Sequence, residues 1–207
     1  MIALAVLALW CPAQAIPEDS TQLISIVAPT ARSTFATARI WRRNGACWIQ
    51  AGGPYVARVG RNGIRPNKRE GDGATPAGTF AIAPRMYGNS PNPGVRFPYV
   101  RLRCGDWWVE DVKSPLYNTF QRVGCARRPS FKVTTSDMST SRRAYAHLAV
   151  VEYNMHPVIR GRGSGIFLHV QIGKPTSGCI SLRYAHLVHV LRWLSPEARP
   201  AIVIRSL

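Results

Sequence analysis

The stretch from Gly163 to Arg183 constrains this chain more than any other. Ile166, Phe167, Leu168, Val170 and Ile172 form an apolar run bounded by Gly165 and by Gly173-Lys174-Pro175, a pattern that predicts a strand closed by a loop. His169 sits inside that run, and Thr176-Ser177-Gly178-Cys179 follows the loop. If the loop folds back, the imidazole meets the thiol and takes its proton, and the thiolate is a nucleophile. Gly178 lets the backbone approach an acyl group closely, so that the amides of Gly178 and Cys179 can hold an oxyanion. A lone His on an apolar strand is more often a hydrogen-bonded core residue. The Gly-Cys pair downstream is what points to a Cys/His acyl-transfer site.

The rest of the chain reads as strands and Gly/Pro-rich loops. Residues 38–42 alternate, Asn44-Gly45 is a hairpin turn signal, Cys47-Trp48-Ile49 continues beyond it, and Tyr55 to Val59 is a third strand. A basic, Gly-rich loop over 60–78 leads into a strand over 79–82. Residues 84–98 hold four prolines and two glycines, which predicts a surface loop suited to lining a substrate cleft. Leu148 to Tyr153 is a strong strand, and Ala201 to Ile204 a closing one. The stretch 129–146 has helical possibilities weakened by Ser and Thr. Apolar residues at 184, 187, 188, 191 and 194 have helical spacing, and Ser195-Pro196 ends that helix. The expectation is a mostly β protein with one helix beginning just beyond Cys179, its N-terminus favouring thiolate if it points at Sγ.

The residues around His169 and Cys179 resemble the L,D-transpeptidase catalytic domain, the YkuD or ErfK/YbiS type, whose signature is a His followed downstream by [S/T]-H-G-C. His169, Thr176, Gly178 and Cys179 match it. Ser177 stands where the family has its second His, Ser181 replaces the Arg that commonly follows the Cys, and the His-to-Cys interval is shorter than usual. These are traits of a divergent branch. Thr75-Pro76-Ala77-Gly78-Thr79-Phe80 resembles the family's T-P-x-G-x-F element, and Tyr153-Asn154 and Gly163-Ser164-Gly165 resemble that branch's approach to the His. The resemblance implies a YkuD-like β-sandwich with a helix following the catalytic cysteine. It implies Cys179 and His169 as catalytic residues, and substrate contacts at Thr176, Ser177, Tyr153 and Asn154. Arg183 is near enough to Ser181 to stand in for the missing Arg and meet a peptide carboxylate. The implied substrate is a peptidoglycan stem peptide, acylated onto Cys179 and passed to an amine or to water, with no metal or organic cofactor.

Composition bounds the setting. Residues 2–10 are apolar but too short to span a bilayer, and Ala13-Gln14-Ala15 follows as an A-x-A cleavage pattern. The expected organisation is a signal peptide over 1–15, a linker over 16–36 and the catalytic domain over 37–207, in an exported protein with no stable membrane anchor once the leader is removed. A lipid-modified Cys11 is disfavoured by Trp10, too bulky for a lipobox. With Cys11 gone, Cys47, Cys104, Cys125 and Cys179 allow three pairings, and complete pairing would leave no nucleophile. Cys104 and Cys125 flank one compact segment and are expected to form a local staple, leaving Cys47 single and buried beside Trp48. The net charge of +17, carried mostly by Arg, implies an anionic neighbourhood such as cell-wall polymer, or a merely solvated basic face. No nucleic-acid-reading motif is present. Zinc-ligand spacings are absent, and Glu110-Asp111 and Glu70-x-Asp72 read as isolated carboxylates, against a two-carboxyl glycosidase. The rival readings are an L,D-carboxypeptidase and a catalytically silent wall-binding module.

Overall fold

Apolar and β-branched runs pair through most of the chain because each strand can bury at least one face only by joining others. The computed structural model describes residues 9–11 and 16–207. Fourteen strands and one helix follow in order: β1 (Leu9–Trp10), β2 (Gln22–Ala28), β3 (Phe35–Asn44), β4 (Cys47–Arg58), β5 (Ile64–Arg65), β6 (Thr75–Pro76), β7 (Gly78–Gly88), β8 (Tyr99–Arg101), β9 (Asp106–Trp108), β10 (Phe120–Arg122), β11 (Leu148–Val151), β12 (Phe167–Val170), β13 (Ile180–Leu182), α1 (Tyr184–Trp193) and β14 (Ala201–Ser206).

The main sheet runs β1-β4-β13-β12-β11-β7-β14-β2-β3, and β3 also pairs with β4, so the sheet curls round and meets itself. It encloses a core of Ile24, Ile26, Ile40, Leu168, Ile180, Ile202 and their neighbours, to which α1 adds Leu187, Val190 and Leu191. The result is the mostly β, sandwich-like architecture expected. On the opposite side of β11 and β12, Leu148, Val150 and Phe167 pack with Trp108, Leu102 and Met138. That second cluster carries the candidate site.

Several local expectations change. Residues 16–36 are not a linker throughout: β2 lies between β14 and β3, with Leu23, Ile24 and Ile26 fully buried. Its one buried polar side chain, Ser25, accepts a hydrogen bond from Trp41 Nε1 at 2.8 Å, so both faces of β2 can be covered. β7 runs on through Pro84 to Gly88, where a loop was expected. The β11–β7 register shifts between Ala149–Met86 and Val151–Ile82, and this irregularity accommodates a proline that cannot donate to the ladder. Residues 129–146 hold only a short 3-10 turn, Met138–Thr140, whose first amides are met by Asp137.

Two disulfides form. Cys104–Cys125 staples the β9–β10 hairpin as expected. Cys47 is not single but bonded to Cys11, beside the pairing of β1 with β4. The rest of the expected leader, with its cleavage pattern at Ala13–Ala15, lies outside the described residues. No described helix is long and apolar enough to cross a membrane.

Candidate active site

Parallel pairing of β12 with β13 sets Leu168 opposite Ile180 and His169 opposite Ser181, which brings Cys179 beside Phe167. Cys179 Sγ donates to Gly165 O at 3.3 Å and accepts from Phe167 N at 3.4 Å. Thr176 builds the turn before it. Its Oγ1 donates to Cys179 O at 2.6 Å and accepts from Gly178 N at 3.2 Å, and its backbone is tied to Val59 O and Arg61 N. Gly178 has φ +144°, and a Cβ there would lie 3.0 Å from Ala74 O and 3.3 Å from Lys68 Nζ. Only glycine fits that conformation and that approach without strain.

Cys179 is half-buried at a cavity of about 490 Å³ walled by Trp108, Tyr145 and Phe167 and lined by the ionisable side chains of Lys68, Glu70 and Glu110. Lys68 is buried, and its Nζ meets Asp72 Oδ1 at 2.8 Å and Arg69 O at 3.3 Å. Burial opposes ionisation of Asp72, but hydrogen bonds from Lys68 and from the amides of Arg69 and Ala74 outweigh it and hold the carboxyl below its ordinary range. Glu70 accepts hydrogen bonds from Tyr117 and, at 2.7 Å, from Ser164. No hydrogen bond from the described residues reaches the Glu110 carboxyl. Burial, then the charge of Glu70, push it up to about 7 against the pull of Lys68. Burial also pushes the Cys179 thiol up to about 12. The Phe167 amide and Lys68 act the other way, and the Glu110 charge adds to the rise. The resting sulfur is a thiol.

His169 shares a strand face with Phe167, two residues along. Its Nδ1 is 2.9 Å from Val170 O, and its ring meets Tyr145 edge-to-face at 5.5 Å. Burial draws its pKa down to about 4, although hydrogen bonds to the carbonyls of Val170 and Ala144 favour the charged form. The imidazole is therefore neutral at pH 7, the state a base requires. No hydrogen bond joins His169 to Cys179, and His169 does not line the cavity. Tyr145 stands between the two regions, its ring on His169 and on Phe167 at 5.7 Å and its edge on the cavity.

The other residues singled out from sequence fall on either side of this site. Ser177 lines the cavity and accepts a hydrogen bond from Arg61 Nη1 at 3.0 Å. Tyr153 and Asn154 line a different cleft of about 860 Å³, together with His156. Tyr153 Oη donates to Arg162 O at 2.6 Å, and Asn154, itself at φ +54°, holds Ile159 and Gly163 O. Both order the loop that leads into β12. Arg183 lies outside the cavity, on the other side of β13 from Cys179 along the chain, where it precedes α1. The cavity's arginine is Arg61, from the basic loop. The strand β13 also separates Cys179 from α1, so the helix does not begin beside the thiol. Residues 84–98 do not line this cavity. Lys68, Glu70, Glu110 and Tyr145 were not expected there. Lys68 and Glu70 belong to the loop over 60–78 that was marked by its glycines and charge, whereas nothing local marks Tyr145.

Among the described residues no group of three or more His, Cys, Asp or Glu side chains is placed to hold a metal ion. No curated protein and no solved structure matches the chain. The family model of the YkuD L,D-transpeptidase catalytic domain matches residues 32–203, a span that takes in the turn, the cavity and both strands of the site. The chain belongs to the L,D-transpeptidase catalytic domain family, whose chemistry is transpeptidation on peptidoglycan peptides.

Proposed function

We propose that the protein is an exported cysteine acyltransferase in which Cys179 is acylated by a peptidoglycan stem peptide. The observation that carries the reading is Cys179 itself, a free thiol opening on a cavity and held between Gly165 O and Phe167 N by a turn that admits only glycine at 178. His169, neutral and on the same strand face, takes the thiol proton once substrate binding brings the two together. Hydrogen bonds of this kind often tighten only in the substrate complex. Thr176 and Ser177 shape the acyl-binding turn, and the Cys179 amide contributes to holding the oxyanion. The Gly178 amide joins it on leaving Thr176 Oγ1.

The thioester then passes to an amine of a second stem, giving a cross-link. Transfer to water would make the protein a carboxypeptidase, and nothing in the site favours that over the amine. Export is supported by the Cys104–Cys125 disulfide and by the family's wall substrate. The basic surface serves to hold the protein near anionic wall polymer, so sacculus binding is expected to weaken steeply as salt rises.

The test is incubation with tetrapeptide muropeptides, with products identified by mass spectrometry. A cross-linked or trimmed product, and a Cys179 adduct absent from Cys179→Ser, is expected. Undiminished turnover by Cys179→Ser overturns the assignment, and salt-sensitive binding without turnover by the wild type would make the protein a silent wall-binding module.

A further inference from the structure

The geometry points to Glu110 as a second catalytic residue, the acid that protonates the departing amine of the stem peptide and then the base that activates the acceptor. This rests on the thioester reading above and adds a role that His169 is poorly placed to fill. His169 is buried outside the cavity with Nδ1 engaged by Val170 O at 2.9 Å. Glu110 lines the cavity with Cys179, and its Oε1 lies 3.4 Å from where a Cβ on Gly165 would stand. Gly165 is the residue whose carbonyl accepts the thiol, so carboxyl and sulfur both lie against the same residue. A substrate carbonyl bonded to Sγ would have its scissile nitrogen in the same enclosure.

The second observation is that the Glu110 carboxyl has no hydrogen-bonding partner among the described residues, whereas every neighbouring acid is engaged. Glu70 is held by Tyr117 and Ser164, and Asp72 by Lys68 and two amides. A half-buried carboxyl left without donors, close to a second carboxylate, keeps its proton near neutral pH. The charged and titratable groups that act on it or share the cavity are Glu70, Lys68, Arg61, Tyr145 and Cys179. Glu70 favours the protonated form and Lys68 opposes it.

The step balances as follows. The thiolate, its proton held by His169, adds to the carbonyl carbon. When the tetrahedral intermediate collapses, the C–N bond breaks and the Glu110 carboxyl proton passes to the leaving nitrogen. The acyl group stays on Sγ and Glu110 is left as carboxylate. In the second half the acceptor amine gives a proton to Glu110 as its nitrogen bonds the acyl carbon. The C–S bond then breaks, and His169 returns its proton to the sulfur.

The experiment compares two donors, a tetrapeptide amide and the matching p-nitrophenyl ester, whose leaving group needs no proton. Acylation of Cys179 is followed by intact mass in single turnover for wild type, Glu110→Gln and Glu110→Asp. Thermal unfolding confirms that each variant is folded. Loss of a general acid costs roughly 100-fold or more on the amide, and the loss with the ester is expected to be at least tenfold smaller. The wild-type amide-to-ester rate ratio should fall as pH rises through about 7, and Glu110→Gln should abolish that dependence, with Glu110→Asp restoring part of it. Equal losses on amide and ester, or no loss on the amide, overturn the role of Glu110 while leaving the thioester reading standing. A wild type acylated by neither donor removes the thioester reading and the Glu110 role with it.

Discussion

Replacing Cys104 and Cys125 together by serine tests how the hairpin beside the site is held. Both residues are exposed, so the double substitution removes little packing, and its effect falls mainly on the unfolded chain. The bond spans a sequence separation of 21. In the chain-entropy description, releasing a loop of that length destabilises by about 3 kcal/mol. For a chain of this size each kcal/mol lowers the melting temperature by about 2–4 °C, so a fall of roughly 6–12 °C is expected. The folded hairpin should persist without the bond. Arg122 grips the buried Asp106 through two hydrogen bonds of 2.7 Å, Arg103 N adds a third at 2.8 Å, and Val123 N donates to Gly105 O at 2.8 Å. Glu110 lies two residues beyond the end of β9, so its place in the cavity depends on that hairpin. Thiol acylation at 25 °C should therefore change less than threefold while thermal stability drops. Scanning calorimetry and carbapenem acylation, a reaction the family resemblance suggests, measure the two. A melting shift under about 2 °C would refute the unfolded-state account. A large loss of acylation in protein that is still folded would show that the bond, not the Asp106–Arg122 pair, positions the hairpin.

Three further outcomes are expected. Gly178→Ala forces a side chain into φ +144° with its Cβ 3.0 Å from Ala74 O; strain of about 1–3 kcal/mol at the turn should slow acylation tenfold or more, and an unchanged rate would remove the conformational argument. His169, neutral when folded, has its pKa drawn from 6.5 to about 4, so the unfolded chain binds the extra proton and stability falls as pH drops from about 6.5 to about 4. Up to about 3 kcal/mol is lost by this group, and urea titrations at pH 7 and pH 4 should show a smaller loss for His169→Gln. His147, shifted in the same direction, contributes equally to both proteins and cancels in the comparison; equal losses would refute the assignment. Finally, cleavage after Ala15 would leave the leader peptide attached to the mature chain only through the Cys11–Cys47 bond. Intact mass of the exported protein after reduction should give a chain starting at Ile16. A reduced chain that still begins before Ile16 would overturn the leader.

What the sequence by itself determined lies within short windows. The apolar run around His169 specified β12, the Gly-Cys motif specified the tight turn that holds the Cys179 thiol, and the helical spacing after Tyr184 specified α1, because strand alternation, glycine turns and helix periodicity are all local. The two cysteines flanking β9 and β10 also paired as their spacing suggested. Other features depended on partners far along the chain. Residues 22–28 look like an ordinary mixed segment until β14, at the opposite end of the domain, pairs with them. Arg183, near Cys179 in sequence, leaves the site because a strand intervenes, while Arg61 reaches Ser177 across 116 positions. Glu70 and Glu110 read as isolated carboxylates along the chain. Folding places them in one cavity with Lys68 and the thiol, and only there do burial and mutual repulsion change their proton affinity. Electrostatic coupling depends on distance and solvent exclusion, which sequence spacing does not encode; the turn that holds the Cys179 thiol was legible in the sequence, and the groups gathered around that thiol were settled by tertiary structure.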